Sequence, residues 1–251
     1  MQNNKTSWGK VAPWYNKLVG NTGHYYHENV IFPNLKKIYQ PKNNDKVVDV
    51  GCGQGVYGRL LPAGVEYTGI DLSKELIGEA KKLDRAKSHS YFVADATHAI
   101  PVGSDTCDLA ISILALQNMK DAAAAIKEMA RTVKVGGKIV LVLNHPAFRI
   151  PRQSNWGVDD KNKLEYRRIN RYLSPLEIPI NAHPGLKNSA VTWSYHQPIS
   201  YYTKALADSG LVITSLEEWV SDKESQGKAK KMENRARAEF PLFLTIVAIK
   251  T

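Results

Sequence analysis

Val47-Val48-Asp49-Val50-Gly51-Cys52-Gly53-Gln54-Gly55 decides the fold of this chain. A short apolar run ends around an acid, and glycines then follow at every second position. Such a run suits a buried parallel strand, and the glycines suit a sharp turn beneath a nucleotide-like ligand. Glycine is needed there because the backbone must enter conformations that a side chain disfavours, and because a Cβ would block the ligand. Outward from this stretch, strand-like and helix-like segments alternate. Strands are expected at 46–51, 66–70, 90–94, 108–114 and 138–144, with helices near 55–61, 73–84 and 120–133. Ser73 is placed to cap the second of these helices. The run Asp121 to Met129 is rich in strong helix formers, and Gly136-Gly137 should turn the chain out of it. Alternation with short connections calls for a doubly wound α/β sheet with ligands at the carboxyl ends of its strands.

Gly53-Gln54-Gly55-Val56-Tyr57-Gly58 also spells the GxGxxG of dinucleotide-binding proteins. Three acids argue for a different ligand. Asp49 precedes the glycines, where a carboxylate attracts a cation and repels a pyrophosphate. Asp71 closes Tyr67-Thr68-Gly69-Ile70, placed to accept two ribose hydroxyls, and Asp95 follows Tyr91-Phe92-Val93-Ala94. The motif and these acids resemble class I S-adenosylmethionine (SAM)-dependent methyltransferases. Ala12 to Val19, Gly23 to His27 and Trp193 to Tyr202 resemble their type-11, small-molecule group.

The resemblance covers residues 12–144 well and the 196–250 region at the level of topology. It implies a Rossmann-like seven-stranded sheet of order 3-2-1-4-5-7-6 with the last strand antiparallel. It also implies SAM as cofactor and S-adenosylhomocysteine (SAH) as product. Asp49, Gly51, Cys52, Gly53, Gly55, Asp71, Leu72, Asp95 and Ala96 are the cofactor-binding candidates, with Asp95 at the adenine amino group. An aromatic lid over the methionine part brings in Tyr15 and Tyr25. The chain then divides into a helical lid (1–44), a SAM-binding core (45–144), an insertion that caps the acceptor (145–198) and a C-terminal completion of the sheet (199–251). In the lid, Trp8, Val11, Trp14, Tyr15, Leu18 and Val19 recur at helical spacing, and a second helix is expected over 26–39, kinked or divided at Pro33. The completion should hold a helix at 199–209, strands at 211–220 and 241–250, and a basic linker from Lys223 to Arg237 between them.

The acceptor pocket is expected from the lid, the uncharged loop after the fourth strand, and the insertion. Residues 145–198 hold six prolines and few periodic runs. His145 follows the fifth strand directly, and its near-neutral titration makes it the catalytic candidate as general base, against a role as a loop cap. Tyr166-Arg167-Arg168-Ile169-Asn170-Arg171-Tyr172 interleaves cations with aromatics and could grip a phosphate or carboxylate, or form a solvated helix face. The substrate candidates are Tyr26, His27, Arg149, Arg152, Arg171, Tyr172 and His196, and His183-Pro184 adds polar character to the same insertion. No metal is expected, since His24 and His27 lack companion ligands.

The chain has 251 residues and a formal charge of +10. Residues 45–144 hold twelve basic and twelve acidic side chains, residues 1–44 six and one, and residues 145–251 sixteen and eleven. The excess lies in the segments flanking the core, which favours an anionic partner. The favoured acceptor is a small molecule, anionic or aromatic. The Asn/Asp-Pro-Pro-aromatic motif of amino-methyltransferases acting on nucleic-acid bases is absent after the fourth strand. The alternatives are an RNA methyltransferase and a non-catalytic SAM-binding protein. The start of the chain lacks the apolar segment of a secretory signal, and no apolar run approaches the ~20 residues needed to span a bilayer. With two cysteines expected at opposite ends of the sheet, a reduced, cytoplasmic protein is the simplest expectation. The sequence fixes neither the acceptor atom nor the oligomeric state.

Overall fold

Alternation along β1 (Lys46–Val50) sets the layers of this computed structural model, which describes residues 8–181 and 189–251. His183 and Pro184 lie outside the described residues. Val48 and Val50 pack on the face covered by α5 (Ala122–Thr132) and α6 (Ile199–Asp208). Val47 packs on the opposite face with α4 (Lys74–Leu83), α1 (Ala12–Val19) and α2 (Phe32–Ile38). Because side chains alternate across a strand, Asp49 is directed to the second face, among the N-terminal helices.

Beside β1 lie β2 (Glu66–Asp71) and β3 (His89–Val93) on one side, and β4 (Cys107–Ile113) and β5 (Val133–Asn144) on the other, all parallel. The sheet is completed by β10 (Leu211–Trp219) and β11 (Phe243–Lys250). Its order is β3-β2-β1-β4-β5-β11-β10, with β11 antiparallel to both neighbours. This is the expected seven-stranded order, with four further strands between the fifth and sixth. Ser73 caps α4, its hydroxyl accepting from Leu76 N at 3.2 Å. Both cysteines are buried and free. Among the described residues, no helix is long and apolar enough to cross a membrane.

Several sequence expectations need correction. Gly136-Gly137 does not turn the chain out of α5, because β5 begins at Val133, immediately after the helix. Gly136 takes φ +78° inside the strand, and the pairing with β4 shifts register between Cys107 and Leu109. The glycine pair makes a bulge. The helix expected over 26–39 is divided beside Pro33, as its sequence allowed: a π-helical turn over His27–Ile31 leads into α2, whose first turn holds Pro33. The ring lacks an N–H to donate, and the first turn is where that loss costs least.

The insertion is regular. β6 (Ser154–Asp159) pairs antiparallel with β7 (Leu164–Ile169), and β8 (Leu176–Asn181) with β9 (Val191–His196). The Tyr/Arg stretch is thus mainly strand β7 and the turn after it, with Arg167 opposite Trp156, rather than a helix face. The expected basic linker contains helix α7 (Lys230–Glu239), which packs on β7.

Candidate functional site

Asp49 is 2% exposed, and the Tyr67 hydroxyl donates to its Oδ2 at 2.7 Å. Its Oδ1 is buried and has no partner. Burial pushes the carboxyl up to about 7, helped by the charge on Asp71 and opposed by the Tyr67 hydrogen bond. A buried acid with an unpaired oxygen gains most from a cation. The next turn is shaped by Gly51, at φ +78°, where a Cβ would run into the Ala115 side chain. Gly51 N and Cys52 N both donate to Ile70 O, at 2.8 and 3.0 Å, so the turn is pinned to the end of β2.

Asp71 ends β2 and ties two segments together. Its Oδ2 accepts from Gly53 N at 3.0 Å and its Oδ1 from Ser73 N at 2.8 Å. Burial raises its pKa against these two hydrogen bonds. Asp95 accepts from Thr97 N and Thr97 Oγ1 at 2.9 and 2.7 Å. The three carboxylates line one cavity of about 1060 Å³, together with Gly51, Cys52, Gly53, Leu72, Ala96 and Tyr15. Gly55 stands behind the loop: at φ +74°, its Cβ would meet Tyr91 at 2.6 Å, so it serves the packing of the turn.

The remaining sequence candidates divide between the cavity and its surroundings. His27 lines the cavity and stacks on His24, 3.9 Å between centroids, while Tyr25 and Tyr26 are not among its lining residues. Tyr25 is 42% exposed and donates to Asp222 Oδ2 at 2.8 Å, and Lys223 lies over both tyrosine rings at 4.2 and 5.0 Å. Arg149, Arg152, Arg171, Tyr172 and His196 do not line the cavity either. His196 Nε2 lies 2.8 Å from Tyr172 O, and Ile199 N donates to the Tyr172 hydroxyl at 3.1 Å, so these two residues join the insertion to α6. Arg152 and Arg171 are exposed turn residues at φ +60° and +53°.

His145 is 1% exposed and stands outside the cavity lining. Its Nε2 meets Glu218 Oε1 at 2.7 Å, and its Nδ1 accepts from Ala147 N and Phe148 N at 3.2 and 3.3 Å. With both ring nitrogens engaged, the side chain caps the turn after β5 and gives no geometric support to a general base. His145→Ala should therefore lower stability by about 2 kcal/mol, the scale of leaving buried partners unpaired. SAH affinity should stay at the wild-type value. A thermal melt and a calorimetric titration check the two halves.

A second set of lining residues comes from the lid, the loop after the fourth strand and the insertion, the regions expected to form the acceptor pocket, although the sequence did not single these residues out. Leu114, at the end of β4, has φ +54°, an uncommon conformation for a branched side chain. It is held by its own N–H donating to Val142 O and by Gln117 Nε2 and Asn118 Nδ2 donating to its carbonyl. Leu114, Gln117 and Asn118 all line the cavity, and Gln117 Oε1 is buried without a partner. Trp8 and His24 close it from the N-terminal side, and Thr192, Ser194 and Tyr195 from β9. Two buried hydroxyls at alternate positions of a strand were the available signal for β9. Nothing in the sequence marks the conformation of Leu114.

These features fit SAM. The unpaired Asp49 oxygen suits its ammonium group, the glycine turn suits close backbone approach, and the amide-held Asp71 suits its ribose. The type-11 methyltransferase domain (Methyltransf_11) matches residues 48–141. A malonyl-[acyl-carrier protein] O-methyltransferase from Salmonella typhimurium is 39% identical over 94 residues, 37% of this chain and 36% of that protein. The enzyme of the same name from Enterobacter lignolyticus is 28% identical over 198 residues, 77% of this chain and 72% of that one. The chain thus spans about a third of the length of the first relative and nearly three quarters of the second. Among solved structures, an S-adenosylmethionine-dependent methyltransferase from Mesorhizobium loti superposes with a TM-score of 0.68 at 26% identity, covering 87% of this chain and 97% of that one. Domain match, sheet order and cavity agree, and the chain is similar to the class I SAM-dependent methyltransferases of the type-11 group.

Proposed function

We propose that this chain transfers a methyl group from SAM to a small anionic acceptor, with a carboxylate oxygen as the favoured nucleophile. The observation that carries this reading is the convergence of Asp49, Asp71 and Asp95 on one cavity of about 1060 Å³. That volume lies just above the ~300–1,000 Å³ usual for one drug-sized ligand, which leaves room for an acceptor beside the cofactor. When bound, SAM supplies an electrophilic methyl group on a good leaving group. The protein's part is to hold the nucleophile in line, and positioning of that kind can supply about 7–11 kcal/mol of a barrier.

The cavity histidines favour an acceptor that arrives already ionised. His24 Nδ1 accepts from Tyr26 N and His27 N, at 3.2 and 3.4 Å, so in the neutral ring the proton sits on Nε2. That nitrogen is a donor, suited to orienting an anion. His27 is pushed down to about 3 by burial and by His24, which makes it a weak base. A carboxylate has no proton to lose, so it needs no general base. The relatives named for O-methylation of a malonyl group support the same acceptor class.

The test is Asp71→Ala. It removes the acceptor of two backbone N–H bonds as well as the ribose contact, and SAM affinity should fall at least tenfold in calorimetry. Unchanged affinity would break the assignment. Methyl turnover over a panel of small carboxylic acids then checks the acceptor class.

A further inference from the structure

Arg149 comes within electrostatic reach of both Arg167 and Arg237 where the segment after β5 meets strand β7, on which helix α7 packs. All three are half-buried. Two are held in place. Arg167 donates to Phe148 O at 2.8 Å and to Ser154 Oγ at 3.0 Å, with its guanidinium 5.0 Å from the centre of the Trp156 ring. Arg237 Nε donates to Ser225 Oγ at 3.2 Å.

Arg149 differs. Its backbone N–H bonds to His145 O, but among the described residues its guanidinium makes no hydrogen bond or ion pair. Among the described residues, neither Arg167 nor Arg237 forms an ion pair within 4.0 Å. The neighbouring acids, Glu165 and Glu233, interact with each other, and Glu165 with Arg167 and Arg237. Among the described residues, the protein thus leaves the five N–H donors of a half-buried guanidinium free to meet a ligand, beside two further cations. Trp156, Phe148 and Phe240 pack edge to face around this point, at 5.4 and 5.5 Å.

We propose that Arg149, Arg167 and Arg237 form a binding site for a dianionic phosphate monoester carried by the acceptor, remote from the atom that receives the methyl. The proposal rests on the methyl-transfer reading above. One forked guanidinium satisfies a single carboxylate, whereas three cations match a dianion with three acceptor oxygens. The placement is suitable: Arg149 is two residues from Pro151, which lines the cavity, and its electrostatic neighbour Tyr26 adjoins His27, which also lines it. Lys223, over the Tyr26 ring, adds a fourth positive charge nearby. The surrounding aromatic rings would take the organic part of the ester.

The experiment titrates the full chain, loaded with SAH, with phenyl phosphate, inorganic phosphate and malonate in a calorimeter. Phenyl phosphate should bind more tightly than either of the others. Arg149→Gln should weaken it at least tenfold and Arg237→Gln severalfold, with SAH affinity within twofold of wild type. Arg149→Lys, which keeps the charge and loses the fork, should fall between. Wild-type phenyl phosphate affinity in Arg149→Gln overturns the site. So does malonate binding more tightly, or inorganic phosphate binding as well as the ester. A single-stranded RNA that binds more tightly than phenyl phosphate, with a steep salt dependence, also overturns it in favour of a polynucleotide. Wild-type protein that binds no SAH sinks the methyl-transfer reading itself, whereas SAH binding without phosphate binding sinks only the anion site.

Discussion

Asp49→Asn should weaken SAM binding by about 100-fold, equivalent to about 2.7 kcal/mol. Asparagine keeps the size of the side chain and can still accept from the Tyr67 hydroxyl, so the variant isolates the charge. Truncating one partner of a buried, hydrogen-bonded charge pair costs about 2–5 kcal/mol, and the orphaned Oδ1 of Asp49 marks where that pair would form. The affinity of the wild type should also depend on pH. With the carboxyl pushed up to about 7 in the free protein, binding of the cationic ligand below that pH must first displace a proton. Affinity therefore rises as pH increases toward 7 and levels off above it, while Asp49→Asn shows no such rise. Calorimetry at pH 6 and pH 8 reads both effects. An asparagine variant that binds as tightly as wild type at pH 8 removes the proposed role of Asp49.

Stability should move the other way. A carboxyl raised from 3.8 to about 7 on folding takes up protons in the folded state across that interval. The unfolded chain binds fewer protons there, so the ligand-free protein loses stability as pH climbs from about 4 to 7, and the loss persists above. Asp49→Asn lacks this loss. Its ligand-free melting temperature should exceed that of wild type at pH 8, with the difference shrinking toward pH 4. Lower SAM affinity combined with higher ligand-free stability is the signature of a side chain kept for binding rather than for folding.

Much of the sheet was legible because its signals are local. The apolar runs of β1, β4 and β5 are buried on both faces, so they read as continuous hydrophobic stretches, and Asp49 stands out within one of them. Asp71 and Asp95 could be placed by counting from the ends of the next two strands, and the structure brings them to the same cavity. His145 was equally well placed along the chain, yet its ring is turned by Glu218, 73 residues away on β10. No local pattern specifies that partner. Helix α7 escaped detection because only Ala236 is buried on it, so it carries no apolar stripe to reveal a helical period. The β6–β7 hairpin was obscured by its chemistry. Alternation in Leu164-Glu165-Tyr166-Arg167-Arg168-Ile169 sets charged residues on the packed side, where Arg167 lies on Trp156 instead of in water. The three arginines of the proposed anion site were correspondingly scattered in sequence and meet only through tertiary packing.

Gly51→Ala should destabilise the protein by about 3 kcal/mol and abolish measurable SAM binding, through two separable causes. The left-handed backbone at φ +78° costs about 1–2 kcal/mol for a residue with a Cβ. The new methyl would also strike the Ala115 side chain, and overpacking of that kind costs about 1–3 kcal/mol. Ala115 belongs to the loop that carries Gln117 and Asn118 at the cavity, so relief by movement displaces that loop as well as the glycine turn. Adding Ala115→Gly to Gly51→Ala separates the causes. The space reopens but the backbone strain stays, so the double variant should recover about half of the lost stability and part of the binding. A double variant no more stable than Gly51→Ala would show that the turn fails through its backbone alone. Full recovery would show that the contact with Ala115, and not the handedness of the turn, is what requires glycine after Val50.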